Sequence, residues 1–393
     1  MKEKIAICTP GFAPVPAVKG GAVETLITYL IEENEKEHKY DIDLYTIYDD
    51  KIKNIKYKYT NIYTVKKNRL YSKLSWVFNG ITRRLKLNIV LLDFLEDYVR
   101  KVRKHKYDKI IIENNMILYK KIYKNYKYKT KFYYHQHNNM DEPGKTKYYA
   151  KFISKTAEEI MFVSNNVKEA FNKATNTSVG KVFYNCVDFE KFDVKINGNR
   201  KKYREKLKLG DNEFNFLFSG RICSDKGIME LYEAFLKLNK KYPNVTLSII
   251  GADFSNIKNK YQNKLIEKCK NTNIKIYEFM KYDKLIKYIV SADCIVIPSI
   301  YNEAFGVVAL EAMAMKKAII ATRAGGLTEP LANNSAVIID RENIVENLYN
   351  SMEKIYLNKK YAEKIAANAY ERVCSIKEFN KNNYFKNFIN FIN

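Results

Sequence analysis

Two glutamates stand eight positions apart in the run EAFGVVALEAMA, residues 303–314: Glu303 opens it and Glu311 lies inside it. Their neighbours Ala304, Phe305, Val307, Val308, Ala309, Leu310, Ala312 and Met313 are apolar, as in a helix made to be buried. A carboxylate inside such a helix is costly unless it accepts hydrogen bonds, which the hydroxyls of a ribose or another sugar would supply. Gly306 precedes the helix and leaves the N–H groups of Val307 and Val308 free at its positive end. The plainer alternative, an amphipathic helix with two solvated glutamates, poorly explains Glu311 among so many apolar neighbours.

Three further stretches carry residues capable of chemistry. In FSGRICSDKGIMELYEAF (218–235), Arg221 and Lys226 flank a loop that leads into a helix. A guanidinium fork and a mobile ammonium there suit a diphosphate, although any single lysine of a lysine-rich chain is usually surface charge. Asp225 is expected to cap that helix, with Gly227 inside its first turn. In TPGFAPVPAVKGGAVETLITYL (9–30), Gly20 and Gly21 open a helix, so an anion can approach free backbone N–H groups; a plain flexible loop is the alternative. The pattern is not G-x-G-x-x-G and lacks the acidic residue of a dinucleotide site. In YYHQHNNMDEP (133–143), a strand ends in His135 and His137, two of the chain's four histidines. Their spacing puts both rings on one face, an arrangement known from metal sites. No third ligand is obvious, though Asp141 and Glu142 lie nearby, and a structural or solvated role is the alternative.

These residues need elements to hold them at strand ends. At 393 residues the chain is too long for one core, so two domains are expected. Short apolar runs at 4–10, 40–48, 108–114, 130–138, 160–165 and 181–187 read as strands. So do 214–222, 245–251, 273–279, 293–299, 317–326 and 335–340. Helical stretches lie between them at 22–35, within 71–106, and at 225–240, 256–270, 281–291 and 305–316. Continuous Ile/Val-rich strands alternating with helices predict parallel sheets covered on both faces. The polar segment 195–213 separates two such series into two doubly wound α/β domains. Ligands of such sheets bind beyond the carboxyl ends of the strands, where the four stretches fall.

Composition narrows the class. Six scattered cysteines with no CxxC pair predict a reducing compartment, without disulfides or structural zinc. The start MKEKIAICTPGF has no signal-peptide core, and no apolar run reaches the ~18 residues of a membrane span. A cytoplasmic location is expected, including the inner face of the membrane. The net charge of +25 suits an anionic partner, yet a chain crowded with Lys, Asn, Ile and 32 Tyr also has the bias that AT-rich coding sequence produces. The charge is spread along the chain, and no aromatic platform motif points to nucleic acid.

Together these stretches resemble the group-1 (family four) retaining glycosyltransferases of the GT-B fold. The resemblance covers nearly the whole chain and is strongest from about 214 to 331. It rests above all on the E-x7-E element, Glu303 to Glu311, with SGRICSDKG, PSIYNEAFG and AGGLTEP around it in the family's order. YNCVDFEKF (184–192) is similar to the family's N-G-V-D-x-x-x-F segment, with Cys186 in place of the glycine. IYEF (276–279) is similar to a uracil-contacting segment, with Glu278 where a glycine is usual.

The resemblance implies two Rossmann-like domains facing across a cleft. Residues 1–194 would form an acceptor-binding domain, on which the C-terminal helix (377–393) packs back. Residues 195–376 would bind the nucleotide sugar. It further implies that Glu311 holds ribose hydroxyls, that Glu303 contacts the donor sugar, and that Arg221 and Lys226 neutralise the diphosphate. Gly20, Gly21, Phe305, Gly306, Val307 and Val308 would complete the donor site. His137 would stand near the reacting centre, with His135 as the fallback if the register slips by two.

On this reading no metal and no cofactor is needed, because cations and helix dipoles stabilise the leaving group. The expected activity is a retaining hexosyl transfer from a nucleotide sugar, UDP-linked by expectation, to a glycan or lipid-linked acceptor in cell-surface polysaccharide or glycolipid synthesis. Attack comes from the same face, assisted by a donor phosphate oxygen. The segment 68–106 sets Trp76, Phe78 and Leu74 beside Lys73, Arg83, Arg84 and Lys86, and suits either an anionic membrane or a pair of core helices with basic outer faces. Two rivals stay open: a nucleotide-sugar epimerase of the same fold, and a non-catalytic subunit of a transferase complex.

Overall fold

The Ile/Val-rich runs form two parallel sheets. The structure, a computed structural model, describes residues 2–66, 78, 79, 81, 82, 84, 94–140, 145–256, 258–280 and 282–393. The first sheet contains β1 (Lys4–Cys8), β2 (Asp41–Ile47), β3 (Thr60–Val65), β4 (Lys109–Glu113), β5 (Lys131–Gln136), β6 (Glu159–Phe162) and β7 (Lys181–Val182). Its order is β3-β2-β1-β4-β5-β6-β7. The second contains β8 (Phe214–Ser219), β9 (Val245–Ala252), β10 (Ile274–Glu278), β11 (Cys294–Ile297), β12 (Ala318–Thr322) and β13 (Val337–Ile339), ordered β10-β9-β8-β11-β12-β13. In each sheet the order reverses once, between β1 and β4 and between β8 and β11. Those reversals open the crevices in which doubly wound sheets bind ligands.

Each sheet belongs to its own compact unit: residues 1–185 with 382–393, and residues 186–381. The expected boundary, 194/195, lies a little further along the chain. Both are Rossmann-like, as the alternation of strands and helices predicts. The core strands β1, β4 and β11 are wholly buried apart from Lys4, as double-sided cover requires. In the first unit the C-terminal helix (Lys381–Ile392) is held by the Tyr133 hydroxyl, which donates to the Ile392 carbonyl at 2.8 Å. Tyr384 stacks on Phe183. In the second unit, the segment after Asn185 is bonded to the chain that leads out again. The Val187 N–H donates to Phe379 O, and Lys381 reaches Asp188 Oδ2 at 2.9 Å.

The structure adds to the sequence reading at two places. Strand β3 is absent from the predicted set because TNIYTV alternates, half-buried, at a sheet edge, and carries no continuous apolar run. The polar segment 195–213, which separates the two series, is itself folded. It forms the helix Arg200–Lys206, and Arg204 in it is buried. Two cations from this segment, joined by Lys317 from just before β12, converge on the carboxyl end of the helix Tyr282–Ser291. Arg200 and Lys317 both donate to the carbonyls of Val290 and Ala292, and Arg204 donates to that of Ser291. Asp293 pairs with both arginines. Unpaired carbonyls and a negative dipole end make this a natural cation site. Of the basic and apolar residues singled out in 68–106, only Phe78 and Arg84 fall among the described residues.

Burial, and then the nearby Arg200, push the Lys317 ammonium down to about 7 from its ordinary 10.5. Between those two values the unfolded chain holds a proton that the folded chain has released, so stability rises with pH across that window. Lys317→Met is expected to flatten this rise, read as urea midpoints at pH 7 and pH 9; Arg200 still serves the two carbonyls.

Candidate active site

At the β8/β11 reversal, Glu303 ties three strand-end loops together. Its carboxylate takes an ion pair from Lys226, on the loop after β8, and a 2.5 Å hydrogen bond from the Ser299 hydroxyl, on its own loop after β11. Its backbone N–H donates to Ala324 O and its carbonyl accepts from Gly326 N–H, both on the loop after β12. The Thr322 hydroxyl in turn donates to Ser299 O at 2.6 Å. The Lys226 and Glu303 side chains stay 22% and 16% exposed, so both can be reached from solvent.

The loop after β8 is pressed against the loop after β11. Gly227 has φ 66, and a Cβ there would collide with the Pro298 carbonyl oxygen. The N–H groups of Ile300 and Tyr301 donate to Asp225 O. Asp225 therefore serves this joint through its backbone and is not the expected helix cap; the helix Ile228–Lys241 starts from Gly227, which has no side chain to cap it. Arg221 is exposed at the start of the same loop.

The helix carrying the second glutamate runs Val307–Ala314. Gly306, at φ 95, starts it without a side-chain cap, which leaves the first N–H groups, those of Val307 and Val308, facing outward from the helix end. Glu311 is 2% exposed, as its apolar neighbours demand. Phe305 is placed differently from expectation: its ring is buried against Phe379, so only its backbone is available to a ligand. Strand β10 shifts register between Tyr277 and Glu278, and Phe279 beyond it is exposed.

The first unit places its candidates beside the β1/β4 reversal. Gly20 and Gly21 adopt φ 76 and 106, and Gly21 starts the helix Ala22–Glu37, again without a side-chain cap. Beneath them Glu24 is buried, and burial raises its carboxyl above the usual range. His135, in β5, and His137, just beyond it, share one face. Both donate to the same atom, Glu113 Oε2, at 3.0 and 2.8 Å. Glu113 ends β4 and stands opposite His135 in the ladder.

Glu113 is the third member that the histidine pair lacked in the sequence; its only signal there was a charge closing the apolar run IIIE. Asp141 and Glu142 lie outside the described residues. The ligand atoms of Glu113, His135 and His137 lie within 4.8 Å of one another, close enough to hold a divalent ion, and are joined by hydrogen bonds as they stand. Burial alone would raise Glu113, but the two imidazoles, His135 foremost, hold it at about 2. Burial, with His135 beside it, pushes His137 down to about 4. At neutral pH the group is therefore a carboxylate with a neutral His137.

Residues 199–372 match the family described as Glycosyl transferases group 1, and this stretch lies within the second unit. The match spans most of the second unit and none of the first. A lipopolysaccharide 1,2-N-acetylglucosaminetransferase of Salmonella typhimurium is 30% identical over 225 residues, 56% of each chain. The chain thus spans about half the length of the curated relatives that it matches first. Two solved structures are similar over both units: sucrose-phosphate synthase of Thermosynechococcus elongatus (TM-score 0.78, 17% identity, 99% of this chain and 98% of that one), and Anabaena HepE in complex with UDP-glucose (TM-score 0.75, 17% identity, 99% of each). The fold is that of the GT-B class, and the group 1 resemblance of the sequence holds.

Gly227→Ala puts a Cβ at a left-handed position and against Pro298. It is expected to cost at least about 1–2 kcal/mol in denaturant melts. It should also part the two loops, seen as faster amide exchange at Ile300 and Tyr301.

Proposed function

We propose that the protein is a retaining glycosyltransferase. It moves a hexose from a UDP-sugar to a glycan or lipid-linked acceptor in cell-surface polysaccharide or glycolipid synthesis. The Lys226–Glu303 pair at the β8/β11 reversal carries this reading: a cation for a diphosphate and a carboxylate for sugar hydroxyls, side by side where such sheets bind ligands. Arg221 adds a second cation. The N–H groups of Val307 and Val308 offer a helix end to the leaving phosphate, and Glu311 takes the ribose diol. UDP as the nucleotide is supported by the HepE complex with UDP-glucose, and the acceptor class by the name of the Salmonella relative.

In the reaction, the bond from C1 to the diphosphate oxygen loosens and positive charge grows on the sugar. The acceptor hydroxyl attacks C1 from the face that the diphosphate leaves, and its proton passes to a phosphate oxygen of the leaving group. The product keeps the donor's configuration. Arg221, Lys226 and the helix end stabilise the departing diphosphate without a metal. Of the first-unit candidates, Gly21 is proposed to offer its backbone N–H and His137 to act on the sugar, whereas the Gly20 N–H already donates to Ala17 O at 3.0 Å.

A lipid-linked acceptor places the protein at the cytoplasmic face of a membrane. Residues 115–140, with six lysines and no acidic residue, support attraction to an anionic surface. No helix among the described residues is long and apolar enough to cross a membrane.

Thermal melts with UDP-, GDP- and ADP-sugars test the donor. A UDP-sugar at about 100 times its dissociation constant should raise the midpoint by several degrees. Glu311→Ala and Arg221→Ala should abolish the shift, and no response to any nucleotide would overturn the reading. With the donor known, Lys226→Ala is expected to lower kcat roughly 10²–10³-fold. Transfer should persist in EDTA and require acceptor; turnover of donor alone would point to an epimerase.

A further inference from the structure

The Glu113–His135–His137 cluster does more than a structural histidine pair requires. All three residues are buried, at 0%, 1% and 6% exposure, so His137 is the outer ring and His135 the inner one. The rings lie 3.8 Å apart between centroids, and His135 is packed on its other side by Phe183. Glu113 Oε2 accepts from both imidazoles, yet Glu113 Oε1 and His135 Nε2 are buried without a hydrogen-bond partner. A core arranged for stability alone would not retain a buried carboxylate whose second oxygen is unsatisfied.

Backbone geometry holds the cluster in register. Asn114, directly after Glu113, adopts a left-handed conformation, φ 49. Its backbone N–H donates to His135 O and its side-chain oxygen accepts the His137 N–H at 2.9 Å. The ends of β4 and β5 are thereby stapled, and the carboxylate and the outer ring are aimed at each other before any substrate arrives.

We propose that Glu113 is a positioning residue for His137. A carboxylate 2.8 Å from Nε2 fixes the proton on that nitrogen and leaves Nδ1 as the hydrogen-bond acceptor of the ring. An imidazole that donates to a buried anion is also the stronger acceptor at its other nitrogen. Nδ1 then accepts a hydrogen bond from a sugar hydroxyl, and Glu113 sets which nitrogen is offered without touching the sugar itself. This inference rests on the proposed place of His137 beside the substrate.

The experiment is 15N-edited NMR of the histidine side chains in the full chain, labelled with [15N]histidine, beside steady-state kinetics. Wild type is expected to show His137 as the neutral Nε2–H tautomer at pH 7. An Nδ1–H tautomer or an imidazolium in wild type would overturn the proposal, and needs no variant to be seen. In Glu113→Gln, His137 is expected to become a tautomer mixture, with kcat down on the order of tenfold or more and the donor KM unchanged. Glu113→Asp should restore part of both. An inactive His137→Ala beside an unaltered His137 tautomer in Glu113→Gln would overturn the positioning and leave the function standing. A His137→Ala enzyme with wild-type kcat would overturn the role of His137 itself and this inference with it. A wild-type spectrum that changes on EDTA treatment would assign the three side chains to a metal instead.

Discussion

A parallel sheet delivers the carboxyl ends of its strands to one edge, but nothing in the sheet itself fixes the loops that follow. In the second unit Glu303 does so. Its side chain reaches the loop after β8 through Lys226, and its backbone reaches the loop after β12 through Ala324 and Gly326. The glycines near it have no freedom to vary: Gly227 is backed against Pro298, and Gly306 against Leu327. The free helix end at Val307 and Val308 and the buried Glu311 then follow at fixed distance from Glu303, because they share one continuous turn and helix. A carboxylate charged with assembling loops is already ordered when it is needed for recognition.

Much of this was legible in the residues. Ile/Val runs disclose buried parallel strands because both faces of such strands are covered, and Glu303, Gly306 and Glu311 break an otherwise apolar pattern at places that need an explanation. What escaped reading was decided by partners distant in sequence. Arg204 reads as one more charge in a polar stretch, and only the helix end at Ser291 makes it a buried clamp. Glu113 reads as the last residue of a strand, and only the ladder to β5 sets it opposite His135. Asp225 has the side chain of a cap, yet the tight joint at Pro298 uses its carbonyl instead. Phe305 stands inside the right motif, but the aromatic partner that draws its ring inward, Phe379, is far along the chain.

The tyrosine-rich composition has its own structural solution in the first unit. Buried phenols must place their hydroxyls: Tyr98 donates to the backbone carbonyls of Thr9 and Tyr45, and Tyr45 and Tyr107 form a chain. Tyr45 and Tyr107 share a 2.6 Å hydrogen bond, Tyr107 donates to Asp43, and Asp43 is paired with Lys4. Burial raises all three phenols above their ordinary range, so they stay protonated. The first sheet thus absorbs a compositional bias as an ordered polar network, ending at a single lysine at the surface.

At the proposed donor site, the Lys226–Glu303 contact would itself select among ligands. A bare anion that draws Lys226 to itself leaves Glu303 and the Ser299 hydroxyl to rearrange, and gives the carboxylate nothing in return. A sugar without a phosphate meets a carboxylate already occupied. Only a molecule that joins the two chemistries, an anionic group for the ammonium and hydroxyls for the carboxylate, replaces both halves of the pair at once. On the proposed reading the ion pair is a resident competitor, which would lower the affinity for fragments such as inorganic phosphate or free sugar far more than for the intact conjugate.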